Sequence, residues 1–156
     1  MATFVYNKAA AEIFDGSIDL DTDTLKVMLV DDSYSPDRDD DVVDEGGAGD
    51  AESAEITATN YARAWGGAGR KTPSISVSEQ DANDRAVAII ADLTWTALGG
   101  AVNDTVAGAI LIKEGDANDT TSRLIAYFDI ADTPTNGSDF ILDFDAADGN
   151  IRIATA

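Results

Sequence analysis

Apolar residues in this chain fall into short runs broken by Gly, Asn, Asp and Pro, and most runs are rich in Ile, Val, Thr and aromatics. That pattern predicts strands, because β-branched and aromatic side chains fit a pleated surface and the breakers supply turns. "TLKVMLV" (24–30) is apolar at nearly every position except Lys26, as in a strand covered on both faces. "AEITAT" (54–59), "TPSISVSE" (72–79), "RAVAIIADLTWTAL" (85–98), "VAGAILIKE" (106–114), "RLIAYFDI" (123–130), "DFILDFDA" (139–146) and "IRIAT" (151–155) continue the series. In "SISVS" the period is two, with Ile75 and Val77 on one side and serines on the other. "TPTNGSD" (133–139) carries Asn-Gly, a strong hairpin signal. One helix is predicted, in "NKAAAEIF", which opens with an N-cap type of residue at Asn7 and stops before Gly16. The expected architecture is all-β: one domain over 1–156, an antiparallel β-sandwich or jelly-roll-like fold with one short N-terminal helix. A long acidic loop at 31–55 interrupts it.

The tetrapeptide "DAND" occurs at 81–84 and again at 116–119, each time before an arginine (Arg85, Arg123) and an apolar strand. The flanks do not align, and Asp and Asn recur in turns because their side chains bond their own backbone, so repeated turn chemistry is preferred over duplication.

Composition narrows the chemistry. With 156 residues and 44% hydrophobic content the chain can bury a core. It has no Cys and no His, which removes disulfides, thiol nucleophiles, nitrogen- or sulfur-ligated zinc and any triad built on histidine. Thirty acids against ten bases give a formal charge of −20, which repels nucleic acid and anionic membranes. No apolar run reaches the ~20 residues of a membrane-spanning helix, and "MATFVYNKAAAEIF" lacks a basic-then-apolar leader. Synthesis in the cytoplasm is expected.

"YARAWGGAGRKT" (61–72) looks like a phosphate loop, but Arg70 occupies the place where that motif needs glycine, and Pro73 with "SISVS" follows where a helix must begin. It reads instead as a flexible link between strands. Arg63, Arg70 and Lys71 interleave with Tyr61 and Trp65, and these cations are expected to neutralise carboxylates within the fold or to form subunit contacts. From Asp31 to Glu55 there are 11 acids and one base. Calcium is the functional reading of such clustered oxygens, yet the EF-hand spacing is absent here and in "DLDTDT" (19–24), so a solvated loop and no cofactor are expected. Paired carboxylates also serve glycosidases, but with 30 acids their presence carries no information. Tyr127 and Phe128 are adjacent on a strand and face opposite sides, and Trp95 is expected in the core, which weakens a carbohydrate platform.

Several phrases, taken together and in order, resemble a family of small phage structural proteins encoded near capsid genes. They are "DLDTDTLKVMLVDDSYSPDRD" (19–39), "EITATNYARAWGGAGRKTPSISVSEQDANDRAVAIIADLTWTAL" (55–98), "GAILIKEGDANDTTSRLIAYFDI" (108–130) and "PTNGSDFILDFDAADGNIRI" (134–153). The chain departs from the family in its glycine-rich "ARAWGGAGRKT" and in "AVAIIADLT", which lacks the family's acidic alternation.

The resemblance implies a β-rich virion component at the capsid surface, not an enzyme, and supplies no active-site residues. The leading expectation is a capsid decoration (cement) protein that binds the phage major capsid protein and self-associates as a trimer. The alternative is a head-fibre or tail-associated module that reads host surface glycans. Residues 1–6 are expected to form an arm adding a strand to a neighbour's sheet. The interface residues expected are Phe4, Tyr6, Arg63, Trp65, Arg70 and Lys71.

Overall fold

The computed structural model describes residues 3–115, 118–144 and 150–154. In chain order its elements are β1 (Thr3–Val5), α1 (Asn7–Asp15), β2 (Leu25–Val30), β3 (Ile75–Gln80), β4 (Arg85–Ile90), β5 (Leu93–Leu98), β6 (Thr105–Lys113), β7 (Arg123–Pro134), β8 (Ser138–Leu142) and β9 (Ile151–Ala154). The fold is mostly β and antiparallel, with one α-helix among the described residues. The longest apolar runs take the central places: a four-stranded sheet has the order β1-β7-β6-β2, with Leu25 opposite Lys113 and Val30 opposite Gly108. Val27, Met28, Leu29 and Val30 are all buried, so β2 is covered on both faces, as its unbroken apolar run requires. A second sheet has the order β3-β4-β9, and β5 pairs with β8.

Helix α1 ends where the sequence says it must: Gly16 adopts φ +80 and its N–H bonds the Ile13 carbonyl. Its start differs. Tyr6, not Asn7, is the N-cap residue, and the Asn7 amide is free to donate to Asp39 at 2.7 Å.

Three local expectations are corrected. "AEITAT" forms no strand; Glu55 makes a single bridge to Val30, and Thr57 N–H bonds the Asp104 carboxylate at 2.7 Å in place of a ladder partner. "RAVAIIADLTWTAL" is two strands, β4 and β5, which break at Ala91 and Asp92 and belong to different sheets. The Asn136-Gly137 turn is present, with Gly137 at φ +89, but it joins no hairpin. β7 pairs with β6 and β8 with β5, so the turn is a corner between sheets, fixed by the Gly137 N–H on the Leu98 carbonyl. Local turn chemistry chose the bend; long-range pairing chose the partners.

Residues 1–2 lie outside the described residues, but the rest of the expected arm is placed. β1 pairs with β7 of its own chain, Thr3 opposite Phe128 and Val5 opposite Ala126. Its side chains explain why. Phe4 packs on Tyr6 and Tyr127, with ring centroids 5.1 and 5.6 Å apart, and Tyr34 packs on Tyr127 at 5.7 Å. Such edge and tilted pairs each add about 0.5–1.5 kcal/mol beyond area burial.

Gly108 in β6 lets this aromatic layer close, since a Cβ there would lie 2.6 Å from the Tyr127 ring. Gly108→Val should therefore destabilise the fold by about 1–3 kcal/mol through overpacking. A urea midpoint unchanged from wild type would show that Tyr127 swings aside without loss.

Candidate functional site

The basic segment Tyr61–Thr72 is not a flexible link. It is a loop folded tightly on itself, with Gly67 N–H on the Ala64 carbonyl at 2.8 Å and Gly69 N–H on the Ala62 carbonyl at 3.0 Å. A Cβ on Gly67 would stand 2.2 Å from the Ala62 oxygen, so glycine is required here for close backbone approach. Trp95, buried as expected, donates its indole N–H to the Gly69 carbonyl at 2.6 Å. On the outer side the Trp65 indole donates to the Gly115 carbonyl at 2.7 Å.

Arg70 is the centre of the loop, and its side chain is fully buried. Its Nε and Nη2 donate to the two Glu55 carboxylate oxygens at 2.9 and 2.8 Å. Nη1 and Nη2 donate to the two Asp119 oxygens at 2.6 and 2.9 Å. The planar guanidinium thus forks onto two carboxylates at once, a geometry a lysine ammonium does not offer. Glu55 also accepts from the Tyr61 hydroxyl at 3.0 Å and the Ala64 N–H at 2.9 Å, and Tyr61 in turn accepts from the Leu29 N–H at 3.0 Å. Among the described residues no buried side-chain N or O lacks a partner. Burial by itself would lower the Arg70 pKa, but its bonds to Glu55 and Asp119 outweigh burial and hold it above the ordinary value. Burial, and then the Glu55 charge, push the Tyr61 phenol well up, so it stays a donor.

The six expected interface residues therefore separate. Arg70 and Tyr6 are buried and serve the fold: Tyr6 lies within 2.6 Å of the Tyr34 hydroxyl and has no exposed surface. Phe4 is half-buried beneath the Arg38 guanidinium, whose carbon lies 4.8 Å from the ring centre. Arg63 is half-buried, donating to the Thr57 hydroxyl at 3.1 Å and to the Glu52 carbonyl. Lys71 exchanges backbone bonds with Val27 at 2.7 and 3.0 Å and leaves its side chain half-exposed. Of the six, Trp65 is the most exposed, at 43%. Sequence spacing had no means of finding Glu55 and Asp119, which lie 15 and 49 positions from Arg70.

In comparisons with family models, curated proteins and solved structures, none matches this chain.

The acidic segment 31–55 is more than a solvated loop, since Tyr34, Val43, Ala51 and Ala54 are buried. Its carboxylates replace missing secondary structure by accepting backbone N–H bonds. Asp31 takes Ser33, Asp37 takes Asp39, Asp44 takes Gly46, Asp50 takes Ser53, and Glu45 takes both Asp41 and Val42 at 2.7 and 2.9 Å. Among the described residues, no group of three or more acidic side chains is gathered to hold a metal ion.

Arg70→Met leaves Glu55 and Asp119 buried without their cation and should cost about 3–5 kcal/mol in urea unfolding. Adding Glu55→Gln and Asp119→Asn should restore part of that loss; no restoration would mean the charges are not its cause. Asp40 is held above the ordinary carboxylate value, by burial first and then by Asp37, Glu45 and Asp39, despite the Asp37 N–H bond that opposes them. A carboxylate raised in the folded state penalises folding above its folded pKa, and the penalty disappears as pH falls below the unfolded value. Asp40→Asn should thus raise the melting temperature at pH ~7 and give no gain at pH ~3, where Asp is largely protonated in either state. An equal gain at both would assign the effect to packing.

Proposed function

We propose that this protein is a phage virion structural protein: a capsid decoration (cement) protein that binds the outer shell and bridges coat subunits in the mature head. The finer fold that goes with this reading is a sandwich-type domain, assembled as a trimer over a local threefold of the shell. The observation that carries the proposal is a presented tryptophan. Trp65 is exposed on a loop anchored from below by the Arg70–Glu55–Asp119 cluster and from the side by its own indole bond to Gly115. A rigid aromatic anchor loses little freedom on binding, which is why tryptophan is enriched among the residues that dominate interfaces.

The remaining support comes from composition and resemblance. The chain has no Cys or His, and its order of phrases is similar to virion proteins encoded near capsid genes. Mechanistically, contacts available only on the assembled shell stabilise that shell by linkage, and symmetric repetition lets modest contacts add. The charge of −20 keeps free copies apart until a basic surface receives them.

The test is co-sedimentation of the purified protein with expanded heads of its phage that lack it. Binding should saturate in fixed proportion to coat subunits, and Trp65→Ala should weaken it by about thirtyfold, the loss of one dominant contact. Failure to bind heads, together with binding to host surface glycans, would replace this reading with the receptor-binding one.

A further inference from the structure

We propose that the outer edge of β3, together with the apolar groove beside it, is a strand-addition site for an extended, apolar-faced, basic segment of another protein. This inference rests on the surface itself and does not require the partner to be a coat subunit.

The first observation is an open edge. β3 pairs only with β4 among the described residues, from Ile75 opposite Ile90 to Gln80 opposite Arg85. The phase of the ladder is set by the Ala91 N–H on the Ser74 carbonyl at 2.9 Å, while the Ile90 N–H turns the other way, to Asn150 at 2.7 Å. Antiparallel alternation then directs the inward bonds to Ser74, Ser76, Ser78 and Gln80 and aims the peptide groups of Ile75, Val77 and Glu79 outward. Natural sheets usually blunt such an edge with a bulge, proline or covering loop. Residues 75–80 contain no proline, and their register with β4 is unbroken.

The second observation is the groove, of about 390 Å³, that begins at the same edge. Ile13, Phe14 and Leu20 line it from the helix and the segment after it, and Val77, Ala88 and Ile151, which share one face of the second sheet, line it from the strands. Phe14 is 76% exposed and Val77 54%, large values for side chains of this kind. Val77 belongs to both features. A strand laid along β3 would bond its backbone to the outward peptides and drop alternate side chains toward Val77 and Phe14, the geometry of strand addition. The open shape and largely apolar lining suit a chain segment better than a small polar ligand, which needs convergent polar groups.

The third observation names the occupant. Among the described residues Arg152 is the only charged one lining the groove, and exposed carboxylates neighbour its lining residues along the chain: Asp15 after Phe14, Asp19 and Asp21 around Leu20, and Glu79 two places from Val77. Hydrogen bonds from Ser17 hold Asp15 below the ordinary carboxylate value, and those from Asp21 and Thr22 do the same for Asp19, so both stay charged at neutral pH. Lysine or arginine flanking an apolar face complements that rim. A second copy does not, because β3-to-β3 pairing would set this acidic rim against its own duplicate.

The test uses the full chain and a short synthetic peptide alternating valine and lysine, followed by backbone amide chemical shifts and titration calorimetry. Shifts should concentrate at Ile75, Val77, Glu79 and Phe14. A peptide of the same charge with proline in place of valine cannot pair as a strand and should bind at least about tenfold more weakly. Val77→Pro removes an outward N–H that the β3–β4 ladder does not use, and should also weaken binding about tenfold. Phe14→Ser, at a well-exposed position, tests the groove without touching the strand and should weaken binding too. Equal binding of the proline peptide, shifts confined to 31–55, or no binding at all would overturn the proposal. So would a concentration-dependent dimer abolished by Val77→Pro, which would make the occupant a second copy.

Discussion

One buried arginine holds the irregular half of this molecule to the regular half. Arg70 arrives on a loop, Glu55 at the end of the acidic segment and Asp119 from the connection between β6 and β7, and one guanidinium bonds both carboxylates with four contacts. Through Tyr61 the network reaches the backbone of β2, at Leu29. Burying three charges is expensive, and a cluster of this kind repays its desolvation only when nearly every donor and acceptor is matched. Here the match is close to complete, and that matching is what gives the loop one conformation in place of many.

The acidity of the chain has a structural use of the same kind. From Asp31 to Glu55 the backbone forms no ladder beyond single bridges, at Val42 with Arg123 and at Glu55 with Val30, and its amide groups still need acceptors. Aspartate and glutamate carboxylates two to four residues away supply them, while Tyr34, Val43, Ala51 and Ala54 anchor the segment in the core. Charge at the surface and hydrogen bonding at the turns are therefore delivered by the same residues. The cost is local repulsion, felt at Asp40, where burial and three neighbouring acids raise the carboxyl above its usual value.

What this leaves for function is a division between a closed interior and a small number of presented apolar groups. Trp65, Phe14 and Val77 are exposed on elements that are themselves well tied: a self-bonded loop, a helix ended by Gly16 and a strand paired along its length with β4. Held on such elements, these side chains would lose little freedom on contact with another surface.

Much of the secondary structure was legible because it is written locally. The apolar run of β2, the alanine-rich helix stopping at Gly16, the burial of Trp95 and the opposite faces of Tyr127 and Phe128 follow from period, capping and side-chain size. Steric limits on a turn and alternation along a strand act between near neighbours, and the sequence alone determines them. Partner choice does not work that way. That β1 returns to β7, that Asn136-Gly137 turns a corner between sheets, that Glu55 and Asp119 converge on Arg70, and that the outer edge of β3 is unpaired among the described residues all depend on which distant segments meet. Those meetings are settled by the combined burial and hydrogen-bond satisfaction of the whole chain, so only the tertiary structure decided them.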